Sequence, residues 1–571
     1  MTPILKVRDM VNVKSQSCCI SSLRAFATQS YNVQTFKAKN ELVLAYAPGS
    51  SERNMLEVTL EKYKGQTAYI PIVIGNEEIQ TSDVQYQLCP FDHCWKVAKF
   101  YYADKHLIQT AIDNCLGVRK EWEMKPQEDR SQVFLHAADL MANKYRMDLL
   151  ATAMIGQGKN IIQAEIDAAC EMVDFLRFNV QFAREITSYH PISPSESEKN
   201  QFLYRGLEGF WAAISPCNFT AIGGNLCTAP ALMGNVSIWK PANTAILSNY
   251  TVYKILREAG VPPGVINFIP ADGPVFGDVI TNSPDLAGIN FTGSVKTFRN
   301  LYREVGEKVH IYKGYPRLIG ECGGKNMHFV HPSADAESVA VGSIKSAFEY
   351  SGQKCSALSR MYVPESLWSD VKQKMVNIVG KMKIGSALDG DSYITGVIDK
   401  ASFDRIKAYI VHAKTSPHLK VITGGICDDS KGYFIHPTIL QTTDPEEKIM
   451  QEEIFGPVVT VYVYPDDKWK DTAEKASTTS PFALTASIFS QDEQAVEELR
   501  KMFRDAAGNL YLNDKSTGSV VGQQPFGGAR LSGTNDKAGG PFYLMRFVSP
   551  QCVKHTRKAI TGWRYPHMAS K

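Results

Sequence analysis

A cysteine in a glycine-bearing turn is the first side chain in this sequence with the character of a nucleophile. Cys355 lies in the segment 352–357, which has the sequence GQKCSA. Backbone dipoles at such a turn can lower a thiol pKa from about 8.5, which makes the reactive thiolate available. Taken alone, the segment also fits an ordinary structural thiol. A catalytic role therefore requires complementary groups elsewhere in the chain.

Two other segments contain residues of the complementary types. Segment 321–326 has the sequence ECGGKN, in which two glycines permit close backbone packing, so that Glu321 can point into a cleft. A carboxyl group in such a cleft has a raised pKa and suits a general base. Segment 215–220 places Asn218 shortly after a proline, where its amide can donate a hydrogen bond to a developing oxyanion. The alternatives are a loop glutamate and a turn asparagine.

Three further patterns concern anions and metals. Segment 291–297 (FTGSVKT) ends a strand-like run and opens a helical one, so its backbone N–H groups could face a pyrophosphate; a plain strand-to-helix turn is the alternative. Segment 156–159 (GQGK) has no third glycine and no preceding strand, and we predict a loop between helices there. Cys89, His93 and Cys94 have no second ligand pair, and no His-Glu-x-x-His pattern occurs, so we predict no metal site.

The elements that must position these segments alternate between helical and extended patterns. Apolar spacing predicts amphipathic helices over 132–149 and 164–186. A strand, a helix and a strand at 236–240, 248–259 and 265–269 indicate a parallel sheet with crossover connections. Further strands are predicted at 288–291, 360–363, 455–464 and 486–489, and further helices at 335–348, 365–382 and 493–503. The extended segments 201–207 and 543–554 are predicted to pair into a projecting flap.

Composition limits the classes of protein. The chain has 571 residues with 62 Lys and Arg against 59 Asp and Glu, which predicts several domains and argues against a nucleic-acid binder. Twelve cysteines are too sparse for a disulfide framework. An uncharged run over 210–239 contains proline, glycine and asparagine, so we predict a buried strand, turn and helix and no membrane insertion.

The net charge of +3 lies entirely within the first thirty residues. Residues 1–30 carry four basic side chains and one acidic side chain and are rich in serine, whereas the rest of the chain holds 58 charges of each sign. A basic, serine-rich, acid-poor start is typical of an organelle transit peptide. A disordered tail is the alternative for this segment.

The segments around Asn218, Glu321 and Cys355, together with 453–457 (EIFGP), have the order and spacing of the aldehyde dehydrogenase superfamily. The similarity runs from about residue 45 to residue 560. It implies an α/β fold with a Rossmann-like NAD domain, a doubly wound catalytic domain and a small β flap for oligomerisation. The implied boundaries are 1–30 for a transit peptide, 31–193 and 214–321 for the NAD domain, 322–519 for the catalytic domain, and 194–213 and 520–571 for the flap and C-terminal segment. A homodimer formed through the flap is also implied.

The resemblance also implies roles for residues. Cys355 would attack an aldehyde, and Asn218 together with the Cys355 N–H would hold the resulting oxyanion. A hydride would then pass to NAD. Glu321 would activate a water molecule. The residues that match cofactor contacts are Ser215, Lys240, Gly293, Ser294, Val295, Lys296, Thr297 and Glu453. Many NAD-preferring members have a glutamate where this chain has Asn243, so this position does not itself select NAD over NADP.

Segments 348–357, 513–519 and 522–528 most resemble the members that oxidise L-glutamate 5-semialdehyde to L-glutamate, which implies a small-molecule substrate and a place in the mitochondrial matrix. The residues implied for substrate binding are Gly518 and Ser519 as a carboxylate anchor, Ser356 as a hydroxyl donor and Phe526 as an apolar wall. Cys217 replaces an aromatic residue of the relatives, and we interpret it as packing. Another carboxylated semialdehyde, such as succinic semialdehyde, is the alternative substrate, and a scaffold protein that retained the fold is the non-enzymatic alternative.

Overall fold

The structure is a computed structural model, and it describes residues 30–568. The predicted transit peptide therefore lies outside the described residues, apart from Ser30. Two seven-stranded sheets form the body of the fold, and each consists mainly of parallel strands. Because parallel strands need crossover connections, helices cover both sheets and the central strands are almost entirely buried, whereas the edge strands are partly exposed.

The first sheet contains the predicted strand-helix-strand series. Its strand order is Arg317–Glu321, Leu286–Thr292, Phe210–Ile214, Ser237–Lys240, Ile266–Phe268, Ile72–Ile74 and Glu77–Ile79. The first five strands are parallel, and the last two form an antiparallel hairpin at the edge. The uncharged run 210–239 forms a strand, the buried helix Thr220–Leu232 and another strand, which confirms that prediction.

Helices pack on both faces of this sheet. They are Lys105–Met124, Gln127–Ala142, Arg146–Gln157, Ile161–Ala164, Met172–Thr187, Thr220–Leu232, Ile246–Glu258, Gly273–Asn282 and Val295–Glu307. The single helix predicted over 132–149 is wrong. Asn143 turns its amide back to the Asp139 carbonyl at 2.9 Å and leaves helical geometry, so one helix ends at Ala142 and the next begins at Arg146. The helix predicted over 164–186 exists, but its first part, Glu165–Glu171, is π-helical.

The second sheet follows the predicted second α/β series. Its strand order is Leu419–Thr423, Thr438–Thr442, Val458–Tyr464, Leu358–Pro364, Asn326–Val330, Thr485–Phe489 and Asn509–Leu512. Only the first strand of that order is antiparallel to its neighbour. The covering helices are Ala336–Phe348, Glu365–Val379, Lys400–Thr415, Trp469–Thr478 and Glu493–Met502. All the predicted elements of this series are present, with ends that differ by up to three residues.

The remaining elements lie outside these two sheets. Helix Ser51–Tyr63 precedes a small sheet of Ala68–Ile70, Asp92–Tyr101 and Val84–Cys89. The predicted flap pairing is confirmed, since Glu198–Arg205 pairs antiparallel with Ser549–Thr556. The predicted start of the second flap segment is wrong, because residues 541–547 are helical. The other short elements are Cys427–Asp428 with Phe434–Ile435, Phe482–Ala483 with Ala529–Arg530, and the helices Lys448–Gln451 and Pro541–Leu544.

Between residues 30 and 568 no helix combines the length and the apolar character needed to cross a bilayer. The same residues contain no group of three or more His, Cys, Asp or Glu side chains placed to hold a metal ion.

Candidate active site

The carboxyl ends of the first sheet meet the amino ends of the second. Glu321 and Lys240 end two strands of the first sheet, and Asn218 lies in the turn after a third strand. Cys355 lies just before strand Leu358–Pro364 of the second sheet, and the chain crosses between the sheets at 322–325. Ligands in open α/β folds bind outside the carboxyl ends of strands. The predicted residues from distant parts of the sequence therefore share one cleft.

The two segments that carry Glu321 and Cys355 pack directly on each other. The amide of Asn326 donates to the Cys355 carbonyl at 2.7 Å and to the Ala357 carbonyl at 2.8 Å. A Cβ atom at Gly324 would lie 2.4 Å from the Cys355 carbonyl oxygen, so only glycine permits this approach. The predicted close packing at the glycine pair is confirmed.

The turn before Cys355 is strained. Tyr350 and Ser351 have φ values of 52° and 53°, and Gly352 follows at 67°. A Cβ atom at Gly352 would lie 2.3 Å from the Gly456 carbonyl oxygen, and the Ser351 hydroxyl donates to the Thr395 carbonyl at 2.9 Å. Backbone strain of this kind persists only where the surrounding structure over-determines it. The backbone that presents Cys355 is thus tightly fixed.

The expected lowering of the Cys355 pKa is wrong. Burial raises the pKa of this thiol well above its ordinary range, and the charges of Glu321 and Glu453 raise it further. The N–H of Ser356 favours the thiolate but does not offset these effects. The surroundings thus favour the thiol form, and the proton must leave before the sulfur attacks.

Glu321 has the properties expected of a general base. Burial raises the pKa of its carboxyl group well above the ordinary value, and the nearby charge of Asp536 adds to the effect, whereas Lys537 opposes it. Its Oε2 atom is buried and has no hydrogen-bond partner among residues 30–568. The predicted raised pKa in a cleft is confirmed. One oxygen of this carboxyl group remains available to a substrate or a water molecule.

Asn218 lies beside the nucleophile segment. Its side chain is 5 % exposed, and its Nδ2 atom donates to the Gln353 carbonyl at 2.9 Å, two residues before Cys355. An amide nitrogen carries two N–H groups. One of them fixes the amide against the turn, and the second remains for an oxyanion.

One cavity joins two of the predicted catalytic residues to the residues predicted for the substrate. Its lining includes Glu321 and Cys355 but not Asn218, which lies behind the nucleophile turn. All four residues predicted for the substrate also line it, namely Ser356, Gly518, Ser519 and Phe526. The hydroxyls of Ser356 and Thr517 lie 2.6 Å apart.

The cavity also contains residues that the sequence reasoning missed, among them Glu171, Lys354, Thr517, Asn290 and Tyr543. Burial raises the pKa of Glu171 to about 8, and the charge of Asp167 contributes. Glu171 belongs to the π-helical segment, far from any motif in the sequence. The sequence did point to Lys354, because it directly precedes Cys355. In the structure Lys354 forms a 2.9 Å ion pair with Glu349.

The residues predicted for the cofactor do not line this cavity, and all of them except Glu453 lie at or just beyond strand ends of the first sheet. Ser294 caps the helix Val295–Glu307, and its Oγ atom accepts from the Thr297 N–H at 3.2 Å. The predicted strand-to-helix turn is confirmed, and the first N–H groups of such a helix favour an anion. Burial lowers the pKa of Lys240 to about 8, with Asp272 opposing. Its Nζ atom has a single long contact of 3.5 Å, to the Pro241 carbonyl.

The other cofactor-side positions are also placed by specific contacts. Ser215 accepts a 2.6 Å hydrogen bond from the Trp239 indole, and Glu453 accepts one of 2.8 Å from the Gly324 N–H. The amide of Asn243 donates to the hydroxyl of Tyr102, so a neutral side chain stands at this position. Burial raises the pKa of Cys217 to about 11, in keeping with a packing role.

Comparison with known proteins gives consistent matches along the chain. The family model described as "Aldehyde dehydrogenase family" matches residues 80–553. The mitochondrial delta-1-pyrroline-5-carboxylate dehydrogenase of Danio rerio is 55 % identical over 98 % of this chain and 100 % of that protein. The Homo sapiens protein of the same name is 56 % identical over 94 % of this chain and 95 % of its own length. The crystal structure of the Mycobacterium tuberculosis delta-pyrroline-5-carboxylate dehydrogenase bound with NAD is 42 % identical, has a TM-score of 0.90, and covers 94 % of this chain and 98 % of that chain.

Proposed function

The chain belongs to the aldehyde dehydrogenase family, and on that premise we propose that it oxidises L-glutamate 5-semialdehyde to L-glutamate with NAD as the oxidant. The semialdehyde is the open-chain form of delta-1-pyrroline-5-carboxylate, so the reaction belongs to proline degradation. The observation that carries the proposal is the cavity in which Cys355 and Glu321 face the Gly518–Ser519 turn. Relatives with this named activity span nearly the whole chain.

The first half-reaction uses Cys355 and Asn218. The Cys355 thiol releases its proton to water, and its sulfur attacks the aldehyde carbon to form a hemithioacetal. The oxyanion accepts hydrogen bonds from the free N–H of the Asn218 amide and from the Cys355 backbone N–H. Collapse of this adduct expels a hydride and leaves a thioester on Cys355. A covalent adduct of this kind divides one difficult oxidation into two easier steps.

The second half-reaction uses Glu321. Its carboxylate takes a proton from water, and the resulting hydroxide attacks the thioester carbonyl. The carbon–sulfur bond breaks, the glutamate carboxylate leaves, and Cys355 is free again. The raised pKa of Glu321 suits this task, because a base works best when its pKa lies near the working pH.

The residues at the strand ends of the first sheet fit NAD. At the N-terminus of helix Val295–Glu307 Ser294 accepts from the Thr297 N–H, and the preceding N–H groups remain as donors to a pyrophosphate. Within residues 30–568 the Lys240 ammonium group has no partner closer than 3.5 Å. Lys240 and Glu453 would hold the two riboses. When bound, NAD accepts the hydride released from the adduct. Asn243 places no negative charge near the adenosine ribose, so the chain permits some use of NADP.

The Gly518–Ser519 part of the cavity lining fits the substrate carboxylate. Gly518 and Ser519 can supply backbone N–H groups there, and the neighbouring Ser356 and Thr517 can supply hydroxyls. Several donors on one anion give a strong and oriented contact. Succinic semialdehyde shares the carboxylate but lacks the α-ammonium group of glutamate semialdehyde, and Glu171 is a carboxyl group in the same cavity. We therefore place glutamate semialdehyde first.

A substrate panel with both cofactors tests the proposal. The purified protein should reduce NAD with delta-1-pyrroline-5-carboxylate at a kcat/KM at least about tenfold above that for succinic semialdehyde or a short aliphatic aldehyde. NADP should support a lower rate. A preference for aliphatic aldehydes would contradict the assignment of Gly518 and Ser519 as a carboxylate anchor. A preference for succinic semialdehyde would show that succinic semialdehyde is the substrate.

Removal of the oxyanion donor provides a second test. Asn218→Ala should lower kcat by about 100- to 1,000-fold while the KM for NAD changes little, because the amide bonds the substrate oxygen most strongly in the transition state. Steady-state kinetics with both substrates varied would give the two constants. A large rise in KM with an unchanged kcat would contradict an oxyanion role for Asn218.

The domain boundaries, the oligomeric state and the cellular compartment are proposed on the same premise. We propose the domain boundaries implied by the resemblance, which place one seven-stranded sheet mainly in each of the two larger domains. The flap strands belong to neither large sheet, which supports a homodimer formed through them. The charge and serine content of residues 1–30 and the mitochondrial relatives support import into the mitochondrion, and we propose the matrix as the compartment.

A further inference from the structure

The segment 156–159 (GQGK), which is predicted to be a loop between helices, ends in a buried polar cluster beside the candidate active site. It ends helix Arg146–Gln157 with Gly158 in the left-handed region at φ 70°. The side chains of Gln157 and Lys159 are almost fully buried, at 0 % and 1 % exposure. A buried amide and a buried ammonium group must find partners inside the protein. Lys159 pairs with Asp167 of the π-helical segment, and further partners of both side chains lie on the two segments that carry Asn218 and Cys355.

Lys159 is the centre of this arrangement. Its ammonium group pairs with Asp167, and both side chains are 1 % exposed. The same group lies 4.4 Å from the ring centroid of Phe219 and 4.7 Å from that of Tyr350. Phe219 follows Asn218 in the chain, and Tyr350 begins the strained turn before Cys355. A cation over an aromatic face is attracted to it, more strongly when both are desolvated.

Asp167 holds the other end of the Asn218 turn. Its Oδ2 and Oδ1 atoms accept hydrogen bonds of 2.9 Å from the N–H groups of Thr220 and Ala221, respectively. These are the first N–H groups of helix Thr220–Leu232, which have no partner within the helix. A carboxylate at a helix N-terminus is favourable. Asp167 thus fixes the point at which the turn around Asn218 becomes helix.

Gln157 joins the same two segments by hydrogen bonds. Its Nε2 atom donates to the Cys217 carbonyl at 3.0 Å, and its Oε1 atom accepts from the Thr220 hydroxyl at 2.7 Å. Its backbone carbonyl accepts from the Tyr350 hydroxyl at 2.9 Å. Asn218 is therefore flanked on both sides by groups tied to Gln157. The nucleophile turn is tied to the same residue.

We propose that Gln157, Lys159 and Asp167 are positioning residues, which fix the Asn218 amide relative to the Cys355 thiol. This inference rests on the proposed function, in which Asn218 and Cys355 act on the same carbonyl group. None of the three residues touches the substrate in this scheme. Their effect passes through the two turns, and displacement of a reacting group by about 1 Å can cost about 100-fold in rate.

Lys159→Met tests the proposal, because it keeps the length of the side chain and removes its charge. It should lower kcat about 10- to 100-fold, while the KM for NAD stays within about twofold of wild type. Gln157→Met leaves the buried ion pair of Lys159 and Asp167 intact and should also lower kcat. This second variant keeps the test decisive if Lys159→Met does not fold.

Arg146→Met is the matched control. Arg146 begins the helix that Gln157 ends, and it pairs with the buried Glu165 of the same π-helical segment, but its other partners are Glu41 and the Leu42 carbonyl. Loss of either buried ion pair should lower the melting temperature. Only Lys159→Met should lower kcat. An equal loss of stability with unchanged kcat would show that Lys159 is merely structural.

A double variant distinguishes the positioning of Asn218 from other causes of a lower kcat. In the Asn218→Ala background, Lys159→Met should lower kcat by less than about threefold, since the group that it positions is already absent. An undiminished loss in that background would overturn the proposal.

The acylation burst with p-nitrophenyl acetate gives the same comparison without NAD or the semialdehyde. In that step the Cys355 sulfur attacks the ester carbonyl, p-nitrophenolate leaves, and a thioester remains. A wild-type protein with this burst but no NAD reduction would refute the proposed function alone.

Discussion

Cys355→Ala should abolish NAD reduction, with kcat lowered at least about 10⁴-fold, because the covalent adduct on which both half-reactions depend cannot form. Cys355→Ser should also lose nearly all activity. A serine hydroxyl ionises far less readily than a thiol, and this site already raises the pKa of the thiol through burial and the charges of Glu321 and Glu453. Stopped-flow absorbance of NADH over a single turnover would measure the loss. Both variants should retain NAD binding, measured by fluorescence titration.

Cys217→Ala is the matched control for this prediction. Cys217 lies next to Asn218 in sequence, and burial raises the pKa of its thiol as well, to about 11. Its carbonyl, and not its sulfur, receives the hydrogen bond from Gln157. The Cys217→Ala enzyme should therefore keep most of its kcat. If Cys217→Ala and Cys355→Ala lost activity equally, Cys355 would not be the sole nucleophile.

The sequence is sufficient to locate the functional segments and to predict both sheets. Local patterns offer Cys355, Glu321 and Asn218 only as candidates with structural alternatives, and their roles come from the resemblance to the aldehyde dehydrogenase superfamily. Local patterns succeed for the sheets because parallel strands and crossover helices have distinct periodicities. The same patterns could not detect the break at Asn143, where one side-chain hydrogen bond competes with the helix.

Properties that depend on long-range packing were not predictable in the same way. The pKa of Cys355 depends on carboxylates that lie 34 residues before it and 98 residues after it in the chain, and the local turn indicated the opposite direction. Glu171 enters the cavity from a π-helical segment, and a period of 3.6 residues cannot assign that face. The segment 156–159 was classified correctly as a connection between helices, but its partners became apparent only in three dimensions.

Glu321→Gln should stop the reaction after the thioester has formed. Water is far less acidic than a thiol, so hydrolysis of the thioester needs a base more than the attack of Cys355 on the aldehyde needs one. The rate of hydrolysis should therefore fall by up to about 10⁴-fold. A burst of about one NADH per active site should precede the stall, and mass spectrometry should find one glutamyl group on Cys355. Hydroxylamine needs no such base, so it should release the trapped acyl group as a hydroxamate and restore turnover. Steady turnover without a burst would contradict this role.

The pH profile gives an independent check on Glu321. The carboxylate form is the active base, so the rate should fall as pH falls through its raised pKa, at a higher pH than an ordinary carboxyl group would give. This acid limb should disappear from the hydrolysis step in Glu321→Gln. Glu171→Gln is the matched control, because Glu171 lines the same cavity with a pKa raised to about 8. The limb should persist in that variant, and its loss there would assign the base to Glu171 instead.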